Sequence, residues 1–400
     1  MQQELRVVFF RFVTVVAAFS MFVTLPSQAQ TEKIIYSFSG GTDGITPAGG
    51  LVLDSNGNLY GVTQSGGANA AGTVFKLSPS SGIWTKTLLY SFDPVYGDVY
   101  YPVSNLVFDA KGNLYGLSWQ GGAQHAGGIF EVSPGSNGTW NEKIIYSFAG
   151  GIDVISGQSL LTIDGAGNLF GYRYALYGSI FELEAASNGT WTEKILHTFS
   201  GGNDGFVQYG AQLSVDSSGN LYGQASGGPH DFGIVFKLVR GANGSWIEKI
   251  LHTFRGGADG SAGVGSPIMP DANGNLFGAS TWNVFELVPG SNGTWTEKVL
   301  HTFTGGSDGA YPESGLTMDA SGNLYGTTNE GGVHRGTVFE ITPATNGTWT
   351  ERILHTFTPT GGDGVYPFSL TLAMDKQGNL YGTTQSGGTS NFGVVFEVTP

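Results

Sequence analysis

The chain has 400 residues, of which 66 are glycine and none cysteine; 12% are charged, 13% are aromatic, and the formal net charge is −14. The absence of cysteine excludes disulfides, thiolate metal sites and a lipidated N-terminal cysteine. The acidic balance argues against nucleic acid or an anionic membrane as partner.

Arg6 and Arg11 precede an apolar run from Phe12 to Leu25, followed by Pro26-Ser27-Gln28-Ala29. Basic, then apolar, then small residues is the order of a secretory signal, here expected to be cleaved after Ala29. A membrane anchor fits less well, because a span takes roughly 20 apolar residues. No later segment is apolar enough to cross a bilayer. Removing residues 1–29 takes out Arg6, Arg11 and Glu4, which leaves 15 basic against 30 acidic residues. The expected product is an exported, acidic protein that reaches the extracellular space or the periplasm.

Glu32-Lys33-Ile34-Ile35-Tyr36-Ser37-Phe38 then stands alone before a tandem array begins. Gly-Asn-Leu-(Tyr/Phe)-Gly occurs at Gly57, Gly112, Gly167, Gly219, Gly274, Gly322 and Gly378, at intervals of 55, 55, 52, 55, 48 and 56 residues. Such a period marks a repeat architecture. In the sixth unit, Gly315 to Asp319 is a short alternating run ended by the turn cluster 320–323, and Leu324 to Thr328 is a second strand. Gly336 to Thr342 is a third, stopped by Pro343. Asn346-Gly347 makes a hairpin turn, and Trp349 to Phe357 is the fourth and longest strand. No helix start signal interrupts this four-stranded meander.

A meander that is apolar on both faces needs neighbours, and radial stacking of such sheets gives a β-propeller. Glu32 to Phe38 matches only a fourth strand, and Gly393 to Thr399 matches only a third. The expected fold is therefore an all-β, seven-bladed propeller over residues 30–400, its last blade completed by the N-terminal strand so that no sheet edge stays open. An open β-solenoid is the alternative, but solenoids carry capping repeats at their ends.

The order GNLYGTT, then SGG, then GTVFEITP, then a strand ending LHTF resembles the GloVer (Gloeo-Verruco) tandem-repeat proteins of bacteria, a secreted family with a choice of C-terminal anchor. The resemblance covers residues 32–400. It implies export and a propeller-like array, and it brings no catalytic residues with it. Relatives with an anchoring segment differ from this chain, which stops at Pro400 inside a strand.

Loops of one face carry Asp43, Asp98, Asp153, Asp204, Asp259, Asp308 and Asp363. They could ring the channel mouth and bind Ca2+ through oxygen; turn chemistry is the plainer account. The first-turn residues Asp54, Asp109, Asp164, Asp216, Asp271, Asp319 and Asp375 read as turn stabilisers. His197, His252, His301 and His355 share a slot with Tyr36, Tyr90 and Tyr146, as structural residues do. His125, His230 and His334 lie in loops, where a general base would need a positioned partner. Six of the eight Trp open fourth strands and read as scaffold; Trp119 and Trp282 do not. Units three and five lose the Ser-Gly-Gly loop, which notches the rim beside aromatic residues. The candidate ligand-binding set is Trp119, Arg173, Tyr174, Tyr177, His230, Asp231 and Trp282, with a glycan as the favoured ligand and no cofactor required. Asn-Gly-Thr/Ser sequons at Asn137, Asn188, Asn243, Asn292 and Asn346 follow from hairpin geometry alone. The expected protein is a monomeric, non-catalytic binding or scaffolding module. A lyase or glycan hydrolase working from the same loops is the rival, and a calcium-stiffened ring a third reading.

Overall fold

The computed structural model describes residues 31–95, 98–151, 160–174, 176–207, 210–262, 266–312, 314–367 and 371–400. The signal segment and Asp153 lie outside the described residues. Seven antiparallel sheets follow one another along the chain. In the sixth, Thr317–Met318, Leu324–Thr328, Thr337–Pro343 and Trp349–Thr356 pair in that order. The seventh is built from both ends of the chain. Leu380–Gly387 pairs with Val394–Thr399, which pairs with Thr31–Ser37 in the register Thr31↔Thr399 to Ser37↔Val394. The array is thus a closed seven-bladed propeller. Among the described residues the helical segments are three-residue 3-10 turns, and no helix is long and apolar enough to cross a membrane.

The repeated motif is explained atom by atom. Asp54 Oδ1 accepts from the backbone N–H of Asn56 and Asn58, while Oδ2 accepts from Asn58 Nδ2 and Tyr60 Oη. The two backbone bonds and the Asn bond recur at Asp109, Asp164, Asp216, Asp271, Asp319 and Asp375. These residues are the turn stabilisers that the sequence suggests. The first glycine of the motif takes a positive φ, 80° at Gly57, which only glycine adopts freely. The second has a different task. A Cβ at Gly116 would lie 2.4 Å from the Phe130 ring on the neighbouring strand, and the equivalent Phe crowds Gly61, Gly171, Gly223, Gly278 and Gly326. Leu of the motif is fully buried in every blade.

Blades adhere through aromatic contacts. The Phe that ends each outermost strand packs edge-on against the third-strand Phe of the next blade, as in Phe92–Phe130 at 5.0 Å and Phe357–Phe396 at 5.1 Å. The same contact, Phe38–Phe75 at 5.3 Å, joins the last blade to the first. Trp at the start of an outermost strand packs back on the motif Tyr of the preceding blade, as in Trp191–Tyr115 at 5.7 Å. One bulge per outermost strand, for example between Ile195 and His197, shifts its register. That shift turns the Tyr/His slot toward the junction between blades.

The innermost strands are shorter than the sequence suggests, only Thr317–Met318 in the sixth blade. Near the axis the chain bonds sideways instead: Gly315 bridges Thr371 of the next blade, and Thr317 Oγ1 donates to Leu372 O at 2.6 Å. A pocket of about 190 Å3 is lined there by Gly50, Asn105, Leu160, Gln212 and Thr371.

Candidate functional site

Loops between second and third strands, and those linking one blade to the next, share one end of the ring, here called the loop face. Every strongly exposed aromatic among the described residues lies there: Trp119, Tyr174, Tyr177, Phe206, Phe232, Trp282 and Tyr366. Trp119, within Leu114–Gly121, and Tyr174, just after Leu169–Arg173, hold the same repeat position and are about half exposed, at 47% and 51%. Trp282 stands directly before its third strand, where other blades have Gly178, Gly233 and Gly393, and its backbone carbonyl accepts the Phe303 N–H as those glycines accept from Phe199, Phe254 and Phe38. Its ring reaches Gly305 of the following loop, as the rings of Tyr177, Phe232 and Phe392, one position earlier in their blades, cover Gly201, Gly256 and Gly40. Trp282 also packs on Tyr311 at 4.7 Å.

The remaining candidates divide. Asp231 is exposed and adopts a left-handed φ of 64°, as do Ala70, His125, His334 and Asn391 at the same place in their loops. His230 beside it is exposed as well. Arg173 faces away from the open rim: its guanidinium lies 3.3 Å from Glu193, between blades two and three. Among the described residues, no aromatic pair joins Trp119, Tyr174, Tyr177 and Trp282 to one another. They form a row of separate platforms over blades two to five.

A cleft lies at the opposite face. It has a volume of about 710 Å3 between blades two and three and is bordered by Asp109, Lys111, Glu131, Lys143, Asp164 and Trp191. Asp109, Asp164 and Trp191 hold positions repeated around the ring, so the cleft is mostly turn geometry.

A third arrangement lies where consecutive blades meet at their outermost strands. The described loop aspartates do not ring the axis. Each described one sits between the Tyr/His slot of its own blade and the next outermost strand, where it meets a Glu, or Lys86 in the case of Asp43. His252 Nε2 lies 3.4 Å from Asp259 Oδ1 and 3.8 Å from Glu297 Oε2; His197 Nε2 lies 3.6 Å from Asp204 and 3.7 Å from Glu248. His355 Nε2 is 3.2 Å from Asp363, and His301 is 4.0 Å from Asp308. Where Tyr fills the slot, Tyr36 Oη donates to Asp43 at 2.5 Å and Tyr146 Oη to Glu193 at 3.0 Å. The other oxygen of Asp259 accepts the Arg255 N–H at 2.5 Å, so it also braces the loop.

Burial and a neighbouring carboxylate act together on these glutamates. Burial first, then Asp259, pushes Glu297 up to about 9; burial, then Asp98, pushes Glu142 up to about 8. Glu248 and Glu351 rise to about 7 for the same reasons. Burial holds His197, His252 and His301 below the usual imidazole range, against the pull of their aspartates. Two carboxylates this close, half removed from water, favour sharing a proton.

The model of the Gloeobacter/Verrucomicrobia repeat matches residues 20–176 and 173–396. The chain belongs to this repeat family. No curated protein matches the sequence. Among solved structures, virginiamycin B lyase from Staphylococcus aureus is 13% identical, with a TM-score of 0.54, and the match covers 93% of this chain and 99% of that one. The extracellular domain of the putative hybrid two-component system BT4673 from B. thetaiotaomicron is 14% identical, with a TM-score of 0.52, over 93% of this chain and 42% of that one. At these identities the likeness establishes the fold alone. In this Gloeobacter/Verrucomicrobia repeat protein the junction clusters are what sequence reasoning missed as sites. Their signal was the recurrence of a Tyr/His slot and a loop Asp in seven units and of a strand Glu in six.

Proposed function

We propose that this repeat protein is an exported, non-catalytic binding propeller that holds a glycan on its loop face and works as a monomer. One observation carries this reading: all strongly exposed aromatics among the described residues gather at one end of the ring. Exposed aromatic rings gathered on one face offer stacking surfaces, and a face that they share with polar amides such as Gln64, Asn329 and Gln385 suits the alternating CH and OH surfaces of sugars. Identity varies along this face while the frame repeats, as suits a surface that reads a ligand.

The test is a glycan array probed with the full chain and with Trp119→Ala and Tyr174→Ala. Each removes an exposed platform that has no scaffold counterpart in most blades. Loss of an aromatic anchor is expected to weaken binding at least about tenfold. Glycan binding that survives both changes removes the aromatic row from the site, and turnover of an arrayed sugar would favour the enzyme reading instead.

A further inference from the structure

The seven junctions balance their carboxylates in different ways. At the closing junction Lys86 replaces the Glu found at that strand position in every other blade, and its Nζ lies 2.8 Å from Asp43 Oδ1. At the second Tyr junction the Arg173 guanidinium stands 3.3 Å from Glu193. The protein thus supplies its own cation at two places where the slot is Tyr, a poor ligand for a metal ion. Where the slot is His, no Lys or Arg forms an ion pair with Asp204, Glu248, Asp259 or Glu297 among the described residues.

The spacing at those His junctions is telling. At 3.4 to 3.8 Å, His252 and His197 stand too far from their carboxylates for good hydrogen bonds. With ligands roughly 2.1 Å from a metal, adjacent donors are about 3.0 to 3.4 Å apart, so these gaps are close to the edges of a coordination shell. One donor atom each from Glu32, His355 and Asp363, from His197, Asp204 and Glu248, and from His252, Asp259 and Glu297 lie within 4.8 Å of one another. His197 Nε2, Glu248 Oε1, His252 Nε2 and Glu297 Oε1 are shut off from solvent and have no hydrogen-bond partner.

We propose that these three junctions each bind a divalent transition-metal ion through one imidazole and two carboxylates, clipping consecutive blades together. The imidazole sets the class. Zn2+ and Mn2+ accept mixed nitrogen and oxygen ligands, whereas Ca2+ takes oxygen. The ion does at the His junctions what Lys86 does at the closing one, in a chain with no disulfide to staple its blades.

The experiment dialyses metal-free full chain against Zn2+ and, separately, Mn2+, and counts bound ions by elemental analysis. With one of these ions the parent is expected to take up about three per chain, the number of such clusters. His252→Gln is expected to bind one fewer, and Glu297→Gln, a near-isosteric second variant, to lose the same one. Glu142→Gln, at a Tyr junction, is expected to lose none. Less than one equivalent of either ion in the parent, or an unchanged count in both site variants, overturns the proposal. So does an equal loss in Glu142→Gln. A melting curve for each variant shows that the ring is intact when ions are counted.

Discussion

Glycine holds two unlike positions in the five-residue motif, and they fail differently. Gly116 has an ordinary φ, so its requirement is for space alone: an added Cβ meets Phe130 at 2.4 Å. Gly116→Ala is expected to cost about 1–3 kcal/mol by overpacking, read from the denaturation midpoint, and the cost should shrink in a Phe130→Leu background. If both backgrounds lose the same amount, the ring is not what excludes the side chain. Glu142 offers a second residue-scale test. Its folded pKa, about 8, stands above the reference value of 4.5, so the folded chain keeps a proton that the unfolded chain releases. The stabilisation from that proton is complete below about pH 4.5 and is lost as pH rises toward 8. Glu142→Gln, which stays neutral throughout, should therefore raise the melting temperature over the parent at pH 8 and leave it almost unchanged at pH 4.5. Calorimetry at the two pH values decides it; an equal gain at both would show that the carboxyl is not held protonated.

Among the described elements, the N-terminal strand stands apart, because its blade partners come from the other end of the chain. It adds six paired positions to the last sheet and buries Ile35 and Phe38, the latter completely. Each such side chain contributes about 1.5–3 kcal/mol on burial, and the strand also covers the edge of Val394–Thr399. Deleting residues 31–38 is expected to lower the melting temperature sharply and promote self-association. A synthetic peptide of that segment should restore the parent transition when added in excess. A shortened chain that melts like the parent and stays monomeric would mean the ring is held by its other junctions.

At the scale of the whole molecule, the ring gives each residue two addresses, one in its blade and one in the junction beside it. The blade address is local. Turn aspartates, the two glycines and the buried Leu act within a few residues or on the neighbouring strand, so their roles can be read from a single repeat. Seven-fold repetition also separated scaffold from exception. The junction address is remote: His252 and Glu297 are 45 positions apart and belong to different blades. In sequence, the slot His reads as filler and the loop Asp as a turn, and neither reading shows that they meet. What the chain's order alone determined was the repeat, the number of blades and the closure by both termini, because hydrogen-bonded meanders and their turns are short-range. Only the tertiary structure decided that the aspartates leave the axis and face His and Glu between blades. That depends on the bulge in each outermost strand and on how far one sheet is turned from the next, which no single repeat encodes.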